Sequence, residues 1–520
     1  MQFNNRRGSI TFKGAMIMAA FGFIILAIIG FFVYKTGGAS RVSSALSDSR
    51  NGTLSSKEKN KVIHVCVVTW GGYAGGQYFN GGFEATKDSR FYKDYGILVD
   101  FPVIDNFDAS RKSYQSGECN LLWQTADAFS TEVGNLQKAG FDPRVLFQSD
   151  WSRGGDLVVA KRGINSVNDL RGKTVAVGYG TPSHTFLLRM LEAAGMSVND
   201  VKIVQVPSAV DAATAFKSGQ VDAAIVWSPD DQDCLKTIPG SKILTSTREA
   251  THIIADIFFG EQKWADEHKK ELDGLEEGWF KGAAEVNTNP EAFEQAVKIL
   301  AVGLKQPEDF MRTAIRNARL STYGDNVNFF NLNGNATGVT GEKLYLETGR
   351  LFQASTDLVS SLPPWREITN LDALRSISLK GPENAAEAEE RYTVASASER
   401  RAEALSVKPL PINFETGSAT LSENAKSLLD LFVPTLNSYK NRVRIEGNTD
   451  NSGSADVNRR LSLARARAAR DYFVNEYHFD VNRFIVEGNG PDKPVATNDT
   501  PEGMAKNRRS EFQLIGNPIK

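Results

Sequence analysis

The stretch NRVRIEGNTD, residues 441–450, followed by NRRLSLARARAARDYFVNEY, residues 458–477, decides the fold at the C-terminal end of this chain. In the first segment Val443 and Ile445 alternate with polar residues, which predicts a strand with one buried face that ends at an acidic turn. The second segment has apolar residues at helical spacing and predicts a long amphipathic helix. Further strands are predicted in LPINF (410–414), RFIVEGNG (483–490) and KNRRSEFQLIG (506–516). Together these segments predict an α+β domain over residues 408–520.

This segment resembles the OmpA-like peptidoglycan-binding domain. The matching residues are Asn413, Phe414, Leu421, Gly447, Thr449, Asp450, Asn458, Leu461, Ser462, Arg465, Ala466, Gly488, Gly490, Asn507, Arg508 and Arg509. The resemblance implies that Asp450 and Arg465 hold the diaminopimelate of the peptidoglycan stem. It places Asn458, Thr449, Asn413 and Arg508 in the same site.

The chemistry of diaminopimelate fits this pair of residues. The amino acid is zwitterionic, so an Asp can bind its ammonium group while an Arg forks onto its carboxylate. The alternative is a structural Asp–Arg pair at a helix cap. One departure from the family pattern is Asn448, where relatives often have an aromatic residue or His.

The middle of the chain alternates strand-like and helix-like segments. An apolar run, VIHVCVVTW, opens at Val62, and similar strands such as DLVVAK (156–161) and TVAVGY (174–179) alternate with helical segments. From about residue 262 to 360 the pattern becomes helical and charged. This alternation is typical of open, mostly parallel α/β sheets.

Residues 61–375 resemble type 2 periplasmic substrate-binding proteins, especially the nitrate/sulfonate/taurine and thiamine-precursor branch. The resemblance is carried by SDWSRGGDLVVAK (149–161), INSVNDLRGKTVAVGYGTPSH (164–184) and SGQVDAAIVWSPDD (218–231). It implies two α/β lobes that close by a hinge around a small solute in the cleft between them. The identity of the solute stays open.

Candidate ligand-binding residues lie where loops leave the C-terminal ends of strands. Glycines after Trp70 would let the backbone approach a ligand, and the start of the helix after Thr181 would suit an anion or a carboxylate. Aromatic side chains suit a flat or cationic group, and the acidic ones suit an amine. The candidates are Trp70, Gly71, Tyr73, Gln77, Thr125, Asp127, Thr181, Ser183, His184, Trp227 and Asp230. The alternatives are ordinary: Trp227 as a core or hinge residue, and His184 as a residue of a first helical turn.

The N-terminal run GAMIMAAFGFIILAIIGFFVY, residues 14–34, contains no charged residue. About 20 apolar residues in a helix span a bilayer, and a signal peptide has a shorter apolar region. The run therefore predicts one uncleaved transmembrane helix. It follows a cytoplasmic tail (1–13), and a flexible tether (35–60) leads to the middle domain. A linker helix over residues 376–407 is predicted before the last domain.

Composition excludes several function classes. The formal net charge of −2 gives no drive toward nucleic acid. None of the five histidines lies in an HExxH motif, and there is no G-x-S-x-G or Walker sequence, so we expect no enzyme, no metal and no cofactor. One disulfide among Cys66, Cys119 and Cys234 is possible, but small buried hydrophobic residues are the favoured interpretation.

The predicted fold class is thus α/β multidomain: one N-terminal transmembrane helix, a two-lobed binding domain and a C-terminal α+β domain. The favoured function is a wall-tethered receptor or sensor, single-pass in a bacterial inner membrane, with its N-terminus cytoplasmic and its bulk in the periplasm. We expect peptidoglycan, the lipid bilayer, a small solute and a membrane-protein partner as its partners, and a homo-oligomer is possible. The alternative is a stator-like or structural subunit whose middle domain is a scaffold without ligand. Delivery to an ABC importer is a third interpretation.

Overall fold

A computed structural model describes residues 54–516, apart from residues 337, 389, 413 and 416. The chain divides into two units, Met1–Leu54 and Ser55–Lys520, and only the second is described below. The predicted tail, the segment 14–34 and most of the tether lie outside the described residues. Within the described part, none of the helices combines the length and the apolar character that a bilayer crossing requires.

The described strands and helices follow one another along the whole unit. The strands are β1 (Val62–Cys66), β2 (Leu98–Asp100), β3 (Leu121–Thr125), β4 (Pro143–Ser152), β5 (Asp156–Ala160), β6 (Thr174–Gly178), β7 (Lys202–Val206), β8 (Ala223–Trp227), β9 (Lys242–Ser246), β10 (Ala255–Glu261), β11 (Ala318–Leu320), β12 (Ala404–Leu410), β13 (Val443–Asn448), β14 (Phe484–Gly490) and β15 (Ser510–Ile515). The helices are α1 (Ser56–Lys59), α2 (Ala74–Asn80), α3 (Arg90–Tyr95), α4 (Phe107–Gln115), α5 (Val133–Lys138), α6 (Pro182–Ala193), α7 (Ala209–Lys217), α8 (Asp230–Thr237), α9 (Gln262–Glu267), α10 (Lys269–Thr288), α11 (Pro290–Gly303), α12 (Glu308–Arg316), α13 (Tyr323–Phe329), α14 (Gly341–Ser355), α15 (Asp372–Ser376), α16 (Ala397–Arg401), α17 (Glu423–Asp430), α18 (Val433–Ser438), α19 (Ala455–Tyr477) and α20 (Pro501–Asn507).

The first lobe, lobe A, is built on a mixed sheet with strand order β11-β4-β10-β3-β1-β2. The central strand β3 is buried at every position, as expected for a strand covered on both faces, whereas Val62 and His64 of β1 are only partly buried. A disulfide joins Cys66 at the end of β1 to Cys119 just before β3, so the favoured interpretation of these two cysteines was wrong. Cys234 is a buried free thiol.

The second lobe, lobe B, has strand order β7-β6-β8-β5-β9. The chain enters it through the short turn between β4 and β5 and returns to lobe A between β9 and β10. Since β4 and β10 are neighbours in one sheet and β5 and β9 in the other, the two crossings lie side by side. This arrangement of two lobes joined at adjacent strands confirms the predicted two-lobed α/β architecture.

The glycine-rich segment after Trp70 serves helix packing. A Cβ added to Gly76 would lie 2.4 Å from the Trp279 ring of α10, and one added to Gly71 would lie 2.3 Å from the backbone of Ala314. The glycines therefore let α2 and its preceding turn approach other helices closely. Their role in bringing the backbone close to a ligand stays a prediction.

The C-terminal domain, here called the wall domain, has the sheet order β12-β15-β13-β14. The long helix α19 packs on β13 and β14, as the sequence predicted, and Val443 and Ile445 are fully buried. The first strand ends at Leu410 and does not cover LPINF. The last strand begins at Ser510, after α20.

The segment 376–407 is not one helix. It contains the single turn of α16 and then the start of β12, which pairs with β15 over Ala404–Leu410. Its Ala and Glu content favours helix, but a partner strand and the packing surface of lobe B override that weak preference.

The wall domain packs directly against lobe B and is not connected to it by a linker alone. The Asn168 side chain makes hydrogen bonds to both the N–H and the C=O of Val407, at 2.9 and 3.1 Å. The Lys440 N–H donates to the Glu249 carbonyl at 2.9 Å. One hydrophobic cluster also contains side chains of both bodies, including Leu191 of lobe B and Leu436 of the wall domain.

Candidate functional site

A polar cavity of about 570 Å³ opens on the wall domain between the end of β13, the start of α19 and the turn before β15. It is lined by Ile412, Phe414, Gly417, Gly447, Asn448, Thr449, Asp450, Ser452, Asn458, Leu461, Arg465, Arg508, Arg509 and Ser510. Five of the six residues predicted for the peptidoglycan site are among them. The sixth, Asn413, lies outside the described residues.

Asp450 is the buried acidic group of this cavity. Its Oδ2 accepts a hydrogen bond from Arg508 Nη1 at 2.5 Å, and its Oδ1 accepts the Ser452 N–H at 2.9 Å. Burial acts to raise the pKa of Asp450, but the hydrogen bonds from Arg508 and Ser452 outweigh it and hold the pKa below its usual range. The carboxylate is therefore charged at neutral pH.

Arg465 of α19 reaches the cavity from the opposite side. Its Nε and Nη2 donate to the carbonyls of Ser418 and Glu415, and its guanidinium lies 4.9 Å from the centre of the Phe414 ring. Burial and the nearby Arg508 lower its pKa. In this structure the direct partner of Asp450 is therefore Arg508, while Arg465 holds the loop before α17.

Two other predicted residues shape the acidic turn. Asn458 Nδ2 donates to the Ser452 carbonyl at 2.9 Å, and Thr449 Oγ1 donates to the Asp450 carbonyl at 2.8 Å. Both side chains thus fix the backbone that presents the Asp450 carboxylate.

A second cavity, of about 60 Å³, lies in the cleft where the two crossings join the lobes. Its lining consists of Val68, Thr69, Trp70, Tyr73, Trp123, Thr125, Ser152, Gly155, Asp156, Pro182, Trp227, Ser228, Ile254 and Asp256. Small-molecule sites usually measure about 300–1,000 Å³. The volume of the cleft cavity in this structure is well below that range.

Two carboxyl groups in the cleft are almost fully buried. Asp156 Oδ1 accepts hydrogen bonds from Trp227 Nε1 at 2.8 Å and from Ser183 Oγ at 3.1 Å. Asp256 Oδ2 accepts one from Tyr73 Oη at 2.7 Å.

Burial raises the pKa of these groups and of their acidic neighbours. The pKa of Asp156 is raised to about 6, and those of Asp127 and Asp150 to about 7, in each case mainly because the charged form is desolvated. The pKa of Asp256 lies well above its usual value because it is buried and faces Asp150.

The structure brings some of the predicted cleft residues together. Trp70, Tyr73, Thr125 and Trp227 line the cavity, and Ser183 touches it through its hydrogen bond to Asp156. Trp227 is a cleft residue rather than a core residue.

The other predicted residues do not reach the cavity. Gln77 is buried in α2, and Asp127 accepts the Ala255 N–H behind the cleft. Thr181 donates to the Gly178 carbonyl, and Asp230 begins α8 away from the lining. Gly71 packs on Ala314, as described above. These residues therefore do not line the cavity in this structure, because a position after a strand does not decide which way its side chain points.

His184 is likewise an ordinary residue of a first helical turn. Its Nδ1 accepts the Gly180 N–H at 3.2 Å, and its ring packs on Tyr179 and Phe352. Burial lowers its pKa to about 4, so the ring is neutral at pH 7.

Sequence reasoning missed the two buried acids, Asp156 and Asp256, together with Trp123. The sequence did contain a signal for the two acids. Each lies near the start of an otherwise apolar strand, and an acidic residue is rarely buried in such a strand unless it has a partner or a function.

Two family models match separate parts of the chain. Residues 413–508 match the OmpA family, and residues 154–293 match the family described as NMT1/THI5 like. The wall domain is therefore an OmpA domain, and the two-lobed domain contains an NMT1/THI5-like segment. Both confirm the resemblances found in the sequence.

Individual relatives match only parts of the chain. Outer membrane protein Omp38 of Acinetobacter baumannii is 41% identical over 108 residues, which are 21% of this chain and 30% of Omp38. Outer membrane porin F of Pseudomonas aeruginosa is 35% identical over 106 residues, 20% of this chain and 30% of the porin. The chain thus spans about a third of the length of these relatives.

Among solved structures, the periplasmic aliphatic sulphonate binding protein SsuA from Escherichia coli is similar at 18% identity and a TM-score of 0.46. The similarity covers 59% of this chain and 97% of SsuA.

Proposed function

We propose that this chain is a bacterial envelope protein that binds peptidoglycan through its OmpA domain and a small solute in the cleft of its two-lobed domain. Residues 14–34 anchor it in the inner membrane, with the N-terminus cytoplasmic and the bulk in the periplasm. The observation that carries the proposal is the 570 Å³ cavity in which a buried carboxylate, Asp450, faces two guanidinium groups, Arg465 and Arg508. A disulfide between Cys66 and Cys119 supports an oxidising compartment.

The wall cavity offers complementary charges to a zwitterionic amino acid. The ammonium of diaminopimelate would bind Asp450, and its carboxylate would bind Arg465 and Arg508. Arg508 already occupies one oxygen of Asp450, so the ligand would take the place of part of that ion pair. When the ligand replaces part of this ion pair, each charged group still has a partner of opposite charge. This matters because an unpaired buried charge is strongly destabilising.

A receptor or sensor role is supported by the way the domains are joined. The cleft lies at the crossings between lobes, where a bound solute would act on the hinge. Because the wall domain is docked on lobe B, any hinge movement would displace lobe A relative to the peptidoglycan-binding body. A membrane-protein partner would receive that signal.

A second function is favoured by the small volume of the cleft. A cavity of about 60 Å³ suits a lobe pair that has closed on itself and serves as a rigid scaffold. The chain would then be a stator-like or structural subunit of a larger complex, where a homo-oligomer would fit. In neither function is the chain an enzyme.

Sedimentation with purified sacculi tests wall binding. We expect Asp450→Ala and Arg465→Ala in the full chain to weaken binding by more than about 30-fold, because each removes one of the charges that would bind the zwitterionic diaminopimelate. Arg467→Ala is the matched control, since Arg467 is an exposed arginine of the same helix and should leave binding unchanged. Undiminished sedimentation of a folded Asp450→Ala chain would remove the site.

Native mass spectrometry of the full chain in detergent separates receptor from scaffold. A co-purifying small molecule supports the receptor. A chain that carries none and whose melting temperature no solute changes supports the scaffold.

A further inference from the structure

We infer that the cleft cavity takes a small organic cation, an ammonium group with a hydrogen-bond acceptor nearby, and rejects anionic solutes. The inference rests on the proposed solute-binding function and names its ligand class. It follows from the charges, the aromatic walls and an unpartnered donor in the cavity.

The ionisable side chains of the cavity wall are acidic, and none of them is basic. Asp156 and Asp256 line it, each 5% exposed, and the lining residues include no Lys, Arg or His. A third carboxyl, Asp150, lies behind the wall and accepts Trp70 Nε1 at 3.1 Å. A sulfonate, nitrate or carboxylate in this space would meet buried carboxyl groups with no opposite charge, and burial of an unpaired charge is costly.

The nearest arginines already have carboxylate partners. The guanidinium of Arg111 lies 5.2 Å from the centre of the Trp123 ring, but its Nε and Nη2 both donate to the Glu132 carboxylate. Arg153 is paired with Glu387. Arg248 is exposed and donates to Asn317 Oδ1 at 3.0 Å. The acidic groups of the cavity wall therefore have no arginine partner among the described residues, and a bound cation would supply the opposite charge.

The rest of the wall suits an organic cation rather than a metal ion. Four aromatic side chains line the cavity: Trp70, Tyr73, Trp123 and Trp227. Trp70 and Trp227 use their N–H groups on Asp150 and Asp156, which leaves ring carbons to contact a ligand. Aromatic faces attract ammonium groups, whereas a Ca²⁺ ion needs six to eight oxygen ligands, and no cluster of three or more acidic, His or Cys side chains that could hold a metal occurs among the described residues.

An independent observation points to a second ligand group. Trp123 lines the cavity and is 2% exposed, and its Nε1 has no hydrogen-bond partner among the described residues. A buried N–H without an acceptor is unfavourable. A ligand that carries an oxygen acceptor a few bonds from its cationic centre would satisfy both Trp123 and the two carboxylates.

Calorimetric titration of the full chain in detergent tests the inference with choline, tetramethylammonium and methanesulfonate as probes. We expect choline to bind, tetramethylammonium to bind more weakly because it lacks an acceptor, and methanesulfonate not to bind. Asp156→Asn should weaken choline binding by more than about 30-fold. Trp123→Phe should remove the difference between choline and tetramethylammonium.

Glu276→Gln is the matched control. Glu276 is a fully buried carboxyl of α10 that does not line the cavity, so its variant should bind choline as the parent does. Binding of methanesulfonate without choline would overturn the inference and leave the receptor function standing. If neither class binds, the inference fails, while native mass spectrometry reports separately on the receptor function and sacculus sedimentation on the wall site.

Discussion

At the scale of single residues, the aspartates of the two cavities differ in the direction of their pKa shift. Asp450 is partly screened by Arg508, which keeps its pKa below the usual range. Asp156 has only neutral donors, Ser152, Ser183 and Trp227, so burial raises its pKa to about 6. Asp450 is ionised at any physiological pH because Arg508 is next to it, so it can exchange one cationic partner for another. Asp156 has no cationic partner in the part of the chain that the structure describes, so binding of a cation would favour its ionised form.

This difference predicts a pH-dependent cleft. A cation binds the ionised form of Asp156, so choline affinity should rise as the pH increases from 5 to 8, most steeply near 6, and binding should release protons. The charged and titratable groups that act on this region are Tyr73, Arg111, Asp127, Asp150, Asp156 and Asp256. Titration in buffers of different ionisation enthalpy measures the protons released. A flat affinity profile in the parent chain would contradict the assignment, and Asp156→Asn should flatten the profile near pH 6.

At the scale of elements, close approach of α19 to its sheet determines the shape of the wall cavity. A Cβ on Gly447 of β13 would lie 2.2 Å from the Ser462 carbonyl oxygen, and one on Gly488 of β14 would lie 2.5 Å from the Leu463 N. Both contacts are with helix backbone, which cannot move aside as a side chain can. The two glycines therefore set the distance between Asp450 at the end of β13 and Arg465 on the helix.

We predict that Gly447→Ala destabilises the wall domain by about 3 kcal/mol, because overpacking against backbone forces the helix away from the sheet. Denaturant unfolding followed by far-UV circular dichroism measures the loss. Gly516→Ala is the control, since its added Cβ would have nothing closer than 3.7 Å and should change stability by less than about 0.5 kcal/mol. Equal stability of the two variants would show that the helix can shift freely.

At the scale of the whole molecule, a half-buried ion cluster joins the segment before the wall domain to both bodies. Glu387 binds Arg153 at the entry to lobe B, at 2.7 Å, and Lys440 of the wall domain, at 3.3 Å. Burial acts to raise the pKa of Glu387, but Arg153 and Lys440 outweigh it and hold the pKa at about 2. The cluster thus helps to hold the wall domain in its docked position.

Docking should weaken in acid. Because the folded pKa of Glu387 is depressed, its contribution is complete above its usual pKa of 4.5 and is lost as the pH falls toward 2. Glu387→Gln should cost about 1–3 kcal/mol at pH 7 and remove much of the acid sensitivity. Small-angle scattering at pH 7 and pH 3 would detect an undocked domain. Glu383→Gln, in the same segment but exposed, should behave as the parent chain does.

The sequence by itself determined the order of domains, the class of each and the main elements of the wall domain. These follow from local signals: the alternation of Val443 and Ile445, the apolar face of the helix over 458–477, and motifs whose spacing is fixed along the chain. The resemblance to the OmpA-like domain implied one site for Asp450, Arg465 and Arg508, and the three residues do line one cavity.

Only the tertiary structure decided the cleft lining, the pairing of Asp450 with Arg508 and the docking of the wall domain. The cleft is formed by strands far apart in the chain, so Asp156 and Asp256 meet only when β5 and β10 are in place. The segment 376–407 has a helix-forming composition, yet its end becomes a strand because β15 and lobe B offer it partners. Contacts between distant segments depend on side-chain direction and on partner surfaces, and neither is encoded in a local pattern.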